Sequence, residues 1–125
     1  MRAVTTATAA AVLGVRKKAL DNLLGRIDSG EIPKGRQGVE RRIPVSTLLE
    51  LFVATELSTR LGTSARDGFE LARELAATGS VQVGPFLLLS VDLSRVQAEL
   101  DAQLEVAIES VVRRRRGRPR AAAPA

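Results

Sequence analysis

The fold is decided between residues 5 and 24, which read TTATAAAVLGVRKKALDNLL. The small apolar residues up to Leu13 predict a first helix that begins at one of the two leading threonines, because threonine is a fair N-cap. Gly14 breaks the pattern, and a second helix is predicted over Arg16–Leu24, with Gly25 as its stop. Two short helices joined by a tight glycine-containing turn form a helix–turn–helix.

The second predicted helix carries its positive charge at its N-terminal end. Its leucines share one face, and the other face carries Arg16, Lys17, Lys18, Asp21 and Asn22. In a DNA-binding helix–turn–helix, the N-terminal residues of the second helix meet the DNA. The predicted DNA contacts of this helix are therefore Arg16, Lys17, Lys18 and Asn22. An ordinary helical hairpin whose polar face meets only water is the alternative.

A basic, glycine-rich segment follows, and residues 29–44 read SGEIPKGRQGVERRIP. The pattern predicts a loose β-hairpin with its tip at residues 34–38, and the two prolines limit its strands to edge positions. A basic hairpin directly after a helix–turn–helix is a wing that reaches phosphates or the minor groove. Its predicted DNA contacts are Lys34, Arg36, Arg41 and Arg42. A surface loop without this role is the alternative.

Two amphipathic helices come next. The pattern Thr47-x-x-Glu50 predicts a capping box at the start of a helix that runs to about Leu61. Ser64 is the predicted N-cap of the following helix, which ends at Gly79. The outward residues of both helices are largely acidic, so this surface is unsuited to phosphate and is free for contact with protein.

Residues 81–91 form the clearest predicted strand, interrupted at Gly84–Pro85 by either a bulge or a tight turn. A lone strand needs a partner. Two partners stay open: a second copy of the chain in a dimer, and the bent-back segment before the break. From Ser94, the pattern predicts a helix that reaches about Val112, with an apolar stripe suited to docking or to dimer contact.

Charge is segregated along the chain. Residues 1–43 hold nine basic and four acidic residues, residues 44–112 hold four basic and ten acidic residues, and residues 113–125 hold six arginines and no acid. Two basic ends around an acidic middle indicate a polyanionic partner. The predicted fold is mainly α with a small β component, in three regions. These are a winged helix–turn–helix over 1–61, a helix–strand–helix dimerisation or partner-binding region over 62–112, and a disordered basic tail over 113–125.

The tail has no hydrophobic periodicity, which predicts disorder. Its predicted DNA contacts are Arg113, Arg114, Arg115, Arg116, Gly117, Arg118, Pro119 and Arg120. The core Arg116–Pro119 resembles an AT-hook. The resemblance implies a backbone extended at the glycine, with arginines along a narrow A·T minor groove. Contact with phosphates alone, without reading of sequence, is the alternative.

The order of these segments carries a second resemblance. Leu13–Val15 reads Leu-Gly-Val at the end of a helix, a short recognition helix follows, and a basic wing ends at Ile43–Pro44 before the next helix. Residues 4–61 thereby resemble the winged helix–turn–helix of the MerR/excisionase superfamily. The resemblance implies that Arg16, Lys17, Lys18 and Asn22 face DNA from the recognition helix, and that Arg36, Arg41 and Arg42 do so from the wing. It does not imply metal sensing, because the MerR metal sensors use cysteine ligands and this chain has none.

The chain has neither histidine nor cysteine. Their absence removes thiolate chemistry, disulfides, cysteine-bound metals and the commonest general base. An enzyme is therefore the weakest hypothesis, and no cofactor and no metal site is predicted. No apolar stretch is long enough to cross a membrane. The absence of cysteine fits a reducing cytoplasm.

These observations predict a sequence-specific transcriptional regulator that binds double-stranded DNA in the cytoplasm, with its second helix in the major groove. A homodimer that reads two half-sites about one helical turn apart is expected. One alternative is the antitoxin of a toxin–antitoxin pair, whose acidic segment 44–112 would bind the toxin. Another is a nucleoid-associated protein that binds A·T-rich DNA broadly.

Overall fold

The computed structural model describes residues 2–26 and 42–117, the last six of them as backbone only. Its elements are β1 (Ala3–Thr5), α1 (Thr6–Leu13), α2 (Lys17–Arg26), β2 (Arg42–Pro44), α3 (Val45–Leu61), α4 (Ala65–Thr78), β3 (Ser80–Val83), β4 (Leu87–Ser90) and α5 (Leu93–Gly117). The prediction of a mainly α protein with a small β component is confirmed. None of the described helices is both long enough and apolar enough to span a membrane.

Helix α1 begins where the sequence predicts. The side chain of Thr5 accepts a hydrogen bond from the backbone N–H of Thr8 at 3.2 Å, which supplies a partner for one N–H of the first turn. Helix α2 runs to Arg26, so the prediction that Gly25 stops it is wrong. A glycine inside a helix costs only about 1 kcal/mol relative to alanine. That cost does not end a helix whose Leu20 and Leu24 are buried.

A short antiparallel ladder ties the N-terminus to the start of α3. Strand β1 pairs with β2, with Val4 opposite Ile43 and Thr5 opposite Arg42. Val4 and Ile43 are both buried, so the ladder contributes to the core. The sequence reading missed β1 because three residues are too few to show a strand periodicity. Of the predicted wing, only its last three residues are described, and they pair with β1; its tip and first strand lie outside the described residues.

The predicted capping box at Thr47 is wrong because α3 begins two residues earlier, at Val45. Pro44 stands at the N-cap and its side chain makes no capping hydrogen bond. The backbone N–H of Val45 donates instead to the carbonyl of Arg2 at 3.0 Å. The β1–β2 ladder therefore supplies a cap that a local sequence pattern cannot show.

The start of α4 agrees with the prediction, and the hairpin that follows this helix decides between the alternatives left open for residues 81–91. Ser64 accepts from the N–H of Asp67 at 3.1 Å, which confirms it as the N-cap of α4. The predicted strand region is a hairpin within one chain, in which β3 pairs with β4 in antiparallel fashion. The interruption is thus a tight turn, with Gly84 in the left-handed region at φ 79°.

Helix α5 starts earlier and ends later than predicted. The side chain of Asp92, not Ser94, accepts from the N–H of Arg95 at 3.2 Å at its start. The helix continues past Val112 to Gly117, where the sequence predicts disorder from Arg113 onward. Arginine is a good helix former, and extending an existing helix is far easier than nucleating one. Residues 118–125 lie outside the described part of the chain.

Two groups of buried side chains hold these elements together. The larger joins α1, α2, the β1–β2 ladder, α3, α5 and Phe69 of α4, and its fully buried members include Leu20, Ile43, Leu48, Leu51 and Leu100. The smaller joins α3, α4 and β3 through Val53, Leu57, Ala72, Leu75 and Val81. Helix α5 therefore shares a core with the N-terminal helices, across the boundary that the sequence predicts between residues 61 and 62.

We expect Leu100→Ala to destabilise the protein by about 2–5 kcal/mol, because it removes a fully buried side chain from the core that α5 shares with α1. Urea unfolding followed by circular dichroism measures the change. Val106→Ala, on the same helix and 63% exposed, is the control and should alter the unfolding free energy by no more than about 0.5 kcal/mol. Equal effects of the two substitutions would contradict this packing.

Candidate nucleic-acid interface

The turn between α1 and α2 is closed by backbone hydrogen bonds. Gly14 adopts a left-handed conformation at φ 70°, and its N–H donates to the carbonyl of Ala11 at 3.3 Å. The N–H of Val15 donates to the carbonyl of Ala10 at 3.0 Å. This pair of bonds is a Schellman motif, which satisfies carbonyls at the end of α1 and reverses the chain. Helix α2 can therefore begin at Lys17, only three residues after the glycine.

Helix α2 is divided into a buried and an exposed side. Leu20 and Leu24 are buried in the core, while Leu23 and Asp21 are half-buried. Five exposed polar residues at the start of the helix and along its outer side form what we call the basic face of α2: Arg16, which directly precedes the helix, Lys17, Lys18, Asn22 and Arg26. Lys18, Asn22 and Arg26 lie opposite the buried leucines, whereas Lys17 is one turn before Leu20 and flanks the buried side. The structure thus leaves all four residues predicted at this helix exposed.

Arg26 belongs to this face, and the sequence reading missed it. Lys18, Asn22 and Arg26 follow one another at intervals of four residues, so they form one stripe along the helix. The signal was present in the sequence, but it was hidden because the helix was predicted to end at Leu24. Arg2, exposed beside β1, was also missed and carries no comparable pattern.

The electrostatics of α2 are unusual for a helix start. Lys17 and Lys18 occupy its first turn, which has no acidic residue. A helix N-terminus carries partial positive charge, so cations there are unfavourable and anions are favourable. Within residues 2–26 and 42–111, no ion pair involves Arg16, Lys17 or Lys18. This end of α2 therefore concentrates exposed positive charge at a helix N-terminus, where the helix dipole also favours anions.

Of the predicted wing contacts, only Arg42 is described. It is exposed on β2, opposite Thr5, the residue that caps α1. The ladder thereby holds an arginine beside the start of the first helix of the helix–turn–helix. Lys34, Arg36 and Arg41 lie outside the described residues.

The arginine run of the tail is attached to the helix–turn–helix through α5. Leu100, Leu104 and Ala107 are buried in the same core as α1, and α5 packs chiefly against that helix. Arg113 follows Ala107 by six residues, which is about 9 Å along a helix axis. Arg113–Arg116 and Gly117 thus continue a helix that is anchored to the helix–turn–helix. Arg118, Pro119 and Arg120 lie outside the described residues.

Three of the four basic residues in the acidic segment 44–112, all except Arg95, are arranged differently from those of α2. Arg60 contacts Glu56 at 2.8 Å, and Arg66 approaches Glu70 at 3.9 Å. The hydrogen bond from Arg60 to Glu56 raises the pKa of that arginine above its ordinary value. Arg73 lies over the ring of Phe69, with its guanidinium 5.9 Å from the ring centre. These arginines have partners within their own helices.

Comparison with known proteins found no matching family model, no similar curated protein and no similar solved structure.

We expect Gly14→Ala and Gly25→Ala to change stability in opposite directions. No atom lies within 4 Å of a Cβ built at either position, so steric contact does not decide the outcome. Alanine at Gly14 must adopt the left-handed conformation of the turn, which costs about 1–2 kcal/mol. Alanine at Gly25 sits inside a helix, where it should stabilise by about 0.5–1 kcal/mol. Urea unfolding of both variants measures the two changes, and a shift of equal sign would contradict this geometry of the turn and α2.

Proposed function

We propose that this protein is a sequence-specific transcriptional regulator that binds double-stranded DNA through the basic face of α2. The observation that carries the proposal is the exposed positive charge, without an ion-pair partner among the described residues, at the first turn of a helix that follows a tight, glycine-closed turn. Such a protein would act on the DNA of the nucleoid, in the cytoplasm.

The dimensions and chemistry of α2 suit the DNA major groove. A helix with its side chains is about 10–12 Å wide, and the major groove of B-DNA is about 12 Å wide. With Leu20 and Leu24 buried, the basic face is the side that would enter the groove. Arg16, Lys17 and Lys18 have the chemistry for guanine edges or phosphates, and Asn22 has the paired donor and acceptor that match adenine.

The rest of the basic residues would supply affinity more than sequence reading. Arg42 and the wing residues before it would contact the phosphate backbone, as would the arginines at the end of α5. An AT-hook requires an extended backbone through Arg116–Pro119, so the chain would have to leave its helical course at Gly117, where α5 ends. A glycine is the residue best suited to such a change of direction.

The variant Lys17→Ala/Lys18→Ala tests the proposal. The DNA is the sequence that the protein itself enriches from a random pool. We expect the double variant to bind it more weakly and with a shallower dependence on salt, by about 0.9 in the log–log slope for each phosphate that the variant no longer neutralises. Fluorescence anisotropy at several salt concentrations measures both quantities.

The matched control is Arg66→Ala/Arg73→Ala, which removes the same two positive charges from helix α4. It should leave the slope nearly unchanged, because those arginines are placed on the acidic segment. Equal reductions in affinity for the two double variants would mean that net charge alone drives binding. An affinity for the enriched sequence no greater than for random DNA would favour the nucleoid-associated alternative.

A further inference from the structure

The β3–β4 hairpin is packed against the protein at its base, near Val81 and Leu89, and is exposed to solvent at its tip, near Phe86 and Leu87. Along its inner face Val81 is buried and Leu89 is half-buried, whereas Leu87 near the turn is 58% exposed. The turn residue Phe86 is 85% exposed, and Leu88 on the outer face is 67% exposed. Three large apolar side chains near the tip are therefore exposed, with Leu87 and Leu88 on opposite faces of the hairpin.

The hairpin also has an open edge. Within the described residues, β4 pairs with β3 alone, so its outer backbone N–H and C=O groups have no strand beside them. Proteins usually protect such an edge with charge. Here residues 75–91 contain no charged residue, the longest uncharged run in the chain. A sheet of two strands is also marginal, and a third or fourth strand would stabilise it.

An apolar groove lies at the other end of β4. It has a volume of about 510 Å³ and opens between α3 and the start of α5. Its lining has four apolar residues, Phe52, Val53, Val91 and Val96, and five charged ones, Glu56, Arg60, Asp92, Arg95 and Glu99. Val91 directly follows β4, and Phe86 directly precedes it. Five residues of strand span about 16 Å, so the tip is too far along the strand to fill the groove of its own chain.

We propose that the open edge of β4 pairs with β4 of a second copy of this chain, antiparallel about a twofold axis perpendicular to the sheet. Antiparallel pairing sets the tip of each strand beside the base of the other. Phe86 and Leu87 of one copy then reach the groove that begins at Val91 of its partner, and the reverse contact is identical. The product is a continuous four-stranded sheet, ordered β3–β4–β4–β3, with both tips covered.

The occupant is a second copy because one strand carries both halves of the contact. The exposed tip and the groove lie at opposite ends of β4, which is the arrangement that an antiparallel copy of the same strand matches on both sides at once. Charge does not oppose pairing of the two strand edges, because residues 75–91 of each copy carry no charge although the whole chain carries a net charge of +5. The inference rests on the proposed function only in that a dimer would place two helix–turn–helix units on one DNA.

The first test is sedimentation equilibrium of the full chain without DNA, over a range of concentrations. We expect a monomer–dimer equilibrium that Leu88→Asp weakens by about tenfold or more, because it sets two like charges near each other on the paired β4 strands. Val106→Asp adds the same charge at an exposed apolar position on α5 and should leave the equilibrium unchanged. Circular dichroism confirms that both variants are folded.

The second test uses the absence of native cysteine, so that a single introduced thiol can form a disulfide only with another copy. Cysteine is placed in turn at Leu87, Leu88 and Leu89, and at Val106 as the control. The residue on the twofold axis faces itself at a Cα separation of about 4.5–5.5 Å, within the range of a disulfide. We expect one β4 position to give rapid oxidative dimers and the control to give none.

A chain that stays monomeric at every concentration would overturn the proposal and leave the hairpin to a different protein. A dimer that Leu88→Asp leaves intact and that no β4 cysteine cross-links would overturn it as well. Neither measurement contains DNA. The DNA-binding assay can therefore contradict the proposed function while the dimer interface is confirmed, and the dimer tests can fail while DNA binding is confirmed.

Discussion

The structure depends on the burial of helix α1. Six of its eight residues are buried: Thr6, Thr8, Ala9, Ala10, Val12 and Leu13. An isolated helix of this length is not stable in water, so α1 forms because its neighbours cover it. Its alanines and threonines let α5 and α3 approach closely, and its capped ends fix the β1–β2 ladder on one side and α2 on the other. The position of the basic face of α2 follows from this packing.

The division of charge follows the same architecture. The acidic residues lie largely on α3, α4 and α5, where two arginines pair with acids one turn away. The basic residues of α2 stand at a helix N-terminus without such partners among the described residues. If nothing bound to these positive charges, acidic residues in the first turn of α2 would make the protein more stable. The arrangement makes sense if an anion binds there, and DNA is the polyanion whose groove fits a helix.

Sequence patterns predicted correctly those features that depend on interactions between residues close together in the chain. The caps at Thr5 and Ser64 and the glycine turn at Gly14 were correct because side chain, backbone and turn lie within a few residues. Strand β1 and the early start of α3 could not be predicted this way. The N–H of Val45 is capped by the carbonyl of Arg2, a partner 43 residues away in sequence. Arg26 was missed for a related reason, since burial of Leu24 carries α2 through a glycine that locally favours a stop.

Sequence reading by α2 is tested most directly by selection from a random DNA pool with the purified full-length protein. We expect enrichment of a sequence with two related half-sites whose centres lie about one helical turn, or 10–10.5 base pairs, apart. Recovery of A·T-rich DNA without a defined motif would contradict sequence reading by α2. Recovery of no DNA above background would contradict DNA binding altogether.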